Sequence, residues 1–157
     1  MKVGIGYDSH VFAENRRLVL AGVEIPHERG LAGHSDADAV AHAVTDALLG
    51  AAGLGDIGTH FPPGSPTWKG ADSMMLLRSV VSMLAERAYR VENVDVTVIC
   101  ESPRLAPHVA AMRAGLAAAL AIDAEAVSVK GKTNEGMGWI GRGEGIAAMA
   151  VVLIGRG

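Results

Sequence analysis

Residues 94–132 read VDVTVICESPRLAPHVAAMRAGLAAALAIDAEAVSVKGK, and this stretch decides the fold class. Val94, Val96, Val98 and Cys100 recur at the two-residue period of a strand, with Asp95, Thr97 and Ile99 between them. Pro107 suits the first turn of a helix, and Val109, Met112, Leu116 and Leu120 carry that helix to about Ala121. Val127–Lys132 is then a short strand. Downstream, Ile146–Ile154 (IAAMAVVLI) is apolar in both phases, the pattern of a strand covered on both faces. Upstream, a helix fits Asp72 to Ala88, with Leu77, Val80, Val81 and Leu84 as its buried stripe. Further back come two strands, Lys2–Asp8 and Arg17–Ile25, and a helix over Ala37–Ala52 with Asp36 or Ser35 as N-cap. The order strand, strand, helix, loop, helix, strand, helix, strand, strand predicts one α/β (α+β) domain over residues 1–157. Its mixed sheet should carry the helices on one face.

The composition narrows the function. With 50% hydrophobic and 20% charged residues in 157, the chain is a folded one, not a disordered one. A net charge of −3 offers no field for nucleic acid or an acidic membrane, so an anionic ligand needs a local site. The single cysteine, Cys100, leaves the fold without a disulfide, as in a reducing cytoplasm. The amino-terminal residues carry no signal-peptide pattern, and the Gly145–Ile154 run is half the length of a membrane span. A soluble cytoplasmic protein is expected.

Two constellations carry chemistry. Asp8 and His10, two apart at a strand end, point to the same side of the pleat. A carboxylate and an imidazole so placed are two ligands of a borderline-soft divalent cation, and His42 on the first helix can be the third. Three protein ligands leave a fourth position open for substrate. Asp46 or Asp38, each four residues from His42, can receive an imidazole N–H as an orienting carboxylate; pattern alone does not choose. The plain alternative is a strand-end turn with a satisfied histidine and a solvated helix face. His27 and His108 read as surface or loop residues, and His60 lies in the long glycine- and proline-rich loop 53–70. The second constellation is Lys132-Thr133-Asn134-Glu135, leading into a glycine-dense turn. Lysine, hydroxyl and backbone N–H groups there can cradle phosphate, and a carboxylate can hold magnesium. Its plain alternative is a structural glycine-rich hairpin.

Five separated motifs resemble the 2-C-methyl-D-erythritol 2,4-cyclodiphosphate synthase family, in order, between residues 3 and 154. They are Gly6–His10 (GYDSH), Gly33–Asp38 (GHSDAD), Thr45–Gly50 (TDALLG), Gly55–Gly58 (GDIG) and Gly141–Gly145 (GRGEG). The resemblance implies intramolecular attack of a 2-phosphate on the β-phosphorus of a cytidine-diphosphate-linked methylerythritol, releasing CMP, in non-mevalonate isoprenoid biosynthesis. It implies Zn2+ on Asp8, His10 and His42, and Mg2+ or Mn2+ on Glu135. His34, Ser35 and the loop Asp56, Ile57, Gly58 match positions that hold the methylerythritol phosphate, with Phe61, Pro62, Pro63, Gly64 and Ser65 nearby. Cys100, Glu101, Ser102, Pro103, Arg104, Leu105 and Ala106, with Gly131, Lys132 and Thr133, match the cytidine pocket. Trp139 and Arg142 are counted with the substrate-side residues, and Arg142 with Glu144 matches a position near the trimer axis where an isoprenoid-like ligand is sometimes held, a structural turn being the plain alternative. His34 and Thr133 match residues that steady the transition state. The family implies a homotrimer with active sites between subunits. Cys100 and Lys132 depart from the commoner residues of the family.

Two anions must be pressed together in such a reaction, so positioning and charge neutralisation do most of the work. No covalent enzyme intermediate is needed. A zinc-dependent phosphoesterase and a non-catalytic nucleotide-binding trimer are the competing readings; the first would release inorganic phosphate or a linear product.

Overall fold

A computed structural model describes residues 1–157. The seven strands are β1 (Lys2–Ala13), β2 (Leu18–Leu20), β3 (Val23–Ile25), β4 (Gly30–Leu31), β5 (Tyr89–Ile99), β6 (Val127–Lys132) and β7 (Gly145–Arg156). The helices are α1 (Ala39–Ala52), α2 (Ile57–His60), α3 (Ser73–Ala85), α4 (Val109–Leu120) and α5 (Gly138–Gly141). Five strands form one mixed sheet in the order β4-β1-β7-β5-β6. The β5–β6 pair joined through α4 is parallel and the other pairs are antiparallel.

Helices α1, α3 and α4 lie on one face of this sheet, as expected, over a core of aliphatic side chains from α1, α3, α4, β5 and β7. The tightest approach is that of α1 to β1. A Cβ built at Gly4 would stand 1.9 Å from the Ala47 carbonyl oxygen, and one at Gly6 would stand 1.9 Å from that of Ala43. Only glycine lets the helix backbone rest on the strand there, and this seat brings α1 alongside the Asp8 end of β1.

Several expectations change. The first strand runs five residues further, to Ala13, because its second half pairs with β7 and β4. The Arg17–Ile25 segment is a hairpin of two short strands, broken at Ala21 and Gly22, which both have positive φ. The N-cap of α1 is Asp38, not Asp36 or Ser35: its carboxylate accepts from Ala41 N, and Ala37 at φ 56° holds the chain out of the helix. Within the long loop, residues 57–60 form a helical turn capped by Asp56. The helix over 72–88 is shorter, Ser73–Ala85, with Asp72 as cap.

The last strand is covered on one face within the chain. Ile146, Ala148, Ala150, Val152 and Ile154 are buried under the helices, while Met149 and Val151 face outward. Together with Val3, Ile5, Tyr7 and Val11 they leave the second sheet face apolar and open.

Candidate active site

Gly4 and Gly6 set α1 against β1, and the two-residue period of β1 then turns Asp8 and His10 to the side from which His42 arrives. Asp8 Oδ2 lies 2.8 Å from His10 Nε2 and 3.1 Å from His42 Nδ1, and the two nitrogens are 3.4 Å apart. Donor atoms about 2.1 Å from an ion at tetrahedral angles stand about 3.4 Å from one another, so these three fit a shared cation. They form a possible metal-binding site. Between these side chains alone, burial pushes the Asp8 carboxyl up, but hydrogen bonds and charge from His10 and His42 outweigh it and hold it at about 2. Burial opposes a charged His10, yet the bond and charge of Asp8 raise its pKa. The three donor atoms face one another closely enough for a cation to lie among them.

Each imidazole is oriented from behind. His10 Nδ1 lies 2.7 Å from Ala32 O, so Nε2 is the nitrogen free to ligate. His42 Nε2 lies 2.8 Å from Ser73 Oγ and 3.2 Å from Ser35 Oγ. The orienting carboxylate expected from Asp46 or Asp38 is not there. Asp46 accepts Ile57 N–H at 2.7 Å, and Asp38 is fully buried, accepting from Ala21, Gly22 and Ala41 N–H groups. Burial pushes the Asp38 carboxyl up to about 6, against the pull of those three donors. Both carboxylates serve the fold around the histidines. Ser73 was not legible, because it lies 31 residues beyond His42 at the start of another helix.

His10 and His42 open into a cavity of about 270 Å³ lined also by His34, Ser35, Ile57, Gly58 and the Phe61–Ser65 turn. Phe61 is buried and meets Trp68 edge-on at 5.0 Å, pinning this turn. Arg16 holds the other wall through Gly33 O at 3.2 Å and Ser35 O at 2.9 Å. Asp56 lies at the margin, its carboxylate turned to Thr59. His60 faces Leu54 O at 2.8 Å and His27 stacks on Phe12, so neither joins the cavity.

A second cavity of about 470 Å³ collects Cys100, Glu101, Pro103, Arg104, Leu105, Ala106, Gly131, Lys132 and Thr133. Ser102 points away, with Oγ 3.3 Å from His27 Nε2. Burial, and then Glu101, push the Cys100 thiol up to about 11. Glu101 Oε1 accepts Asn134 N at 2.8 Å and Gly136 N at 3.4 Å, bracing the turn that carries Glu135. Glu135 itself is exposed, at φ 54°, and its carboxylate accepts from Thr133 Oγ1 at 3.3 Å. Trp139 lies on α5 and Arg142 pairs with Glu144 at 2.7 Å, both outside the two cavities.

The cavities share no residue. Asp8 pairs with Ala148, Ala148 with Val98 and Val98 with Gly131. Three strand spacings, about 14 Å, therefore separate the Asp8 side from the Gly131 side along one edge of the sheet.

Fold and cleft together define an α/β protein in which three candidate metal donors adjoin the first of two cavities. The sequence profile of the YgbB family matches residues 1–155. The 2-C-methyl-D-erythritol 2,4-cyclodiphosphate synthase of Thiobacillus denitrificans is 59% identical over 157 residues, covering 100% of this chain and 98% of its own. The bifunctional IspDF from Campylobacter jejuni superposes with a TM-score of 0.96 at 42% identity, over 99% of this chain and 42% of its own. A 2C-methyl-D-erythritol-2,4-cyclodiphosphate synthase in a CDP-bound form gives a TM-score of 0.90 at 36% identity, over 98% of this chain and 100% of its own. The chain belongs to the YgbB family, among proteins named 2-C-methyl-D-erythritol 2,4-cyclodiphosphate synthase.

Proposed function

We propose that this chain converts 4-diphosphocytidyl-2-C-methyl-D-erythritol 2-phosphate to 2-C-methyl-D-erythritol 2,4-cyclodiphosphate and CMP, as a phosphorus–oxygen lyase of non-mevalonate isoprenoid biosynthesis. The observation that carries this reading is the convergence of Asp8, His10 and His42 beside a cavity lined by His34 and Ser35. It occurs in a chain 59% identical, end to end, to a synthase of that name.

In the reaction, an oxygen of the 2-phosphate forms a bond to the β-phosphorus. The bond from that phosphorus to the bridging oxygen breaks, and CMP leaves with the electron pair. The attacking and receiving groups are both anionic; two unit charges 4 Å apart near a protein surface repel by about 4 kcal/mol, a cost the site must offset. The N2O donor set of Asp8, His10 and His42 suits zinc, which when bound supplies a Lewis acid for a diphosphate oxygen. Glu135, exposed and with one long hydrogen bond, has the free oxygens that magnesium or manganese takes from a protein that leaves the remaining positions to phosphate and water. His34 and Ser35 hold the methylerythritol phosphate in the first cavity, with Asp56–Gly58 and Phe61–Ser65 at its walls. The Cys100–Ala106 and Gly131–Thr133 segments hold the cytidine end, and Thr133 and His34 donate to the crowded phosphoryl oxygens. Asp46 supports this set indirectly, by holding Ile57 N–H at the cavity wall.

The two half-sites serve one substrate if they meet across a subunit boundary, in a homotrimer of single-domain chains. The open sheet face supports this: Val3, Ile5, Tyr7, Val11, Met149 and Val151 are exposed apolar side chains gathered on the paired strands β1 and β7. A cytoplasmic setting fits the single, buried, unpaired Cys100.

Phosphorus NMR of the reaction with authentic substrate tests the activity: a cyclic diphosphate with CMP is expected, whereas inorganic phosphate or a linear product means phosphoester hydrolysis. Mixing inactive His10→Ala chains with inactive Glu135→Ala chains tests the boundary. Recovered activity in verified mixed oligomers is expected; a monomer by light scattering overturns it.

A further inference from the structure

We propose that Ser73, backed by Asp36, is the positioning residue that fixes His42 as a metal ligand through Nδ1. The inference rests on the reading of Asp8, His10 and His42 as a metal centre. His42 turns Nδ1 toward Asp8 Oδ2, at 3.1 Å, and His10 Nε2, at 3.4 Å. A ligating nitrogen must present a lone pair, so the single proton of a neutral imidazole belongs on Nε2. That nitrogen lies 2.8 Å from Ser73 Oγ.

The direction of this contact follows from proton counting. A serine hydroxyl has one proton to give, and Ser73 Oγ gives it to Asp36 Oδ1, an atom that only accepts when ionised. Ser73 can therefore only receive from His42. Asp36 is held by two further donors, Ser73 N at 3.1 Å and Asp38 N at 3.2 Å, so its carboxylate is fixed in place. Ser73 is fully buried and stands at the first position of α3, where it cannot swing away. Ser35 Oγ, at 3.2 Å from the same nitrogen, is also engaged by Ala37 N and is the weaker partner. The chain His42 Nε2–H to Ser73 to Asp36 thus selects one tautomer and one ring orientation. His10 reaches the same end by a different brace, the Ala32 carbonyl. Only the His42 brace is made of side chains, so only it can be removed by substitution.

Zinc titration of the chelator-stripped full-length chain against a chromophoric competitor tests the relay, with cobalt(II) absorption as a second readout. One zinc per chain is expected in the wild type. Ser73→Ala should bind it about 10- to 100-fold more weakly, with an altered cobalt ligand-field band. Ser73→Thr should recover most of the affinity, and Asp36→Asn should fall between. Metal-free urea unfolding of these variants should match the wild type, which a merely structural role for Ser73 would not allow. Zinc affinity of Ser73→Ala within twofold of wild type, with an unchanged cobalt spectrum, overturns the proposal. If Ser73→Ala does not fold, the affinity of Asp36→Asn decides in the same way. Equal zinc binding by the wild type and His42→Ala overturns the metal centre itself, a separate result.

Discussion

On the Asp8 side of the cleft, both imidazoles are met from behind. Helix α1 sits on two glycines of β1, His10 leans on Ala32 O, and His42 leans on Ser73. On the Glu135 side, the carboxylate is exposed and hydrogen-bonds only to Thr133, and the turn beneath it hangs from Glu101 by two backbone N–H groups. The Asp8, His10 and His42 cluster is a product of core packing and is complete within one chain. The Glu135 side is a strand-end turn whose free atoms face outward. Packing fixes donors to within tenths of an ångström, as a three-ligand site needs. An outward turn leaves room for a second surface and for a cation that brings most of its ligands with it.

The largest effect should come from breaking the packed half. His42→Ala removes a donor that nothing nearby replaces, so zinc binding should be lost and turnover should fall about 10³-fold, a change of about 4 kcal/mol. Metal analysis alongside product NMR checks this. Retention of one tightly held zinc would contradict it.

Burial at the edge of the second cavity gives the next effect. With its pKa at about 11, Cys100 at pH 8 holds roughly 100-fold less thiolate than an ordinary thiol. Alkylation of the native protein should be slower by about that factor. It should quicken about tenfold per pH unit until pH approaches 11, because the fraction of the reactive anion rises until the pKa is passed. Mass spectrometry of timed reactions at several pH values follows this. Rapid labelling at pH 8 would mean the second cavity is looser than its walls indicate.

A pair of glycine substitutions sharpens the contrast. Gly6→Ala drives a methyl into the Ala43 carbonyl and must displace α1, which should cost about 3 kcal/mol and weaken zinc binding. Gly136→Ala meets nothing within 4 Å and only strains a left-handed backbone position, so it should cost about 1 kcal/mol and leave zinc binding unchanged. Urea unfolding midpoints with zinc titration separate the two. Equal costs would erase the distinction between the halves.

The smallest effect on turnover is at Glu135. Glu135→Gln keeps the shape of the turn and removes one charge from a site that draws its other ligands from phosphate and water. Turnover should drop about tenfold, with a raised magnesium requirement and unchanged zinc content. Partial rescue at high magnesium supports the role. Normal magnesium dependence with loss of one limb of the pH–rate profile would assign Glu135 to proton transfer instead.

Much of the Asp8 side was legible because its geometry is local. Asp8 and His10 share a pleat face by a period of two, and His42 sits on a helix whose stripe is written in Val40, Val44 and Leu48. The same rules misplaced the cap of α1, since Ser35, Asp36 and Asp38 are all competent caps. The choice fell to Asp38 because only its carboxylate can also receive the Ala21 and Gly22 N–H groups of a hairpin 16 and 17 residues upstream. The same capture removed Asp38 from the histidines, and Ile57 N–H removed Asp46. Ser73 and Glu101 carried no local signal: a serine after a cap and a glutamate after a strand are ordinary until a distant partner is brought to them.

The sequence by itself determined the alternation of strands and helices, the three donors on two elements, and the glycine-rich turn that carries Glu135, because each follows from the repeat of a single backbone conformation or from side-chain chemistry at short spacing. Tertiary structure alone decided which nitrogen of each histidine is free, which carboxylates are committed to backbone donors, and that Asp8 and Gly131 lie three strand spacings apart with one sheet face bare. The first two outcomes depend on hydrogen-bond partners supplied by residues 11 to 37 positions away, and a buried donor or acceptor takes whichever partner the packing delivers, not the one nearest in sequence.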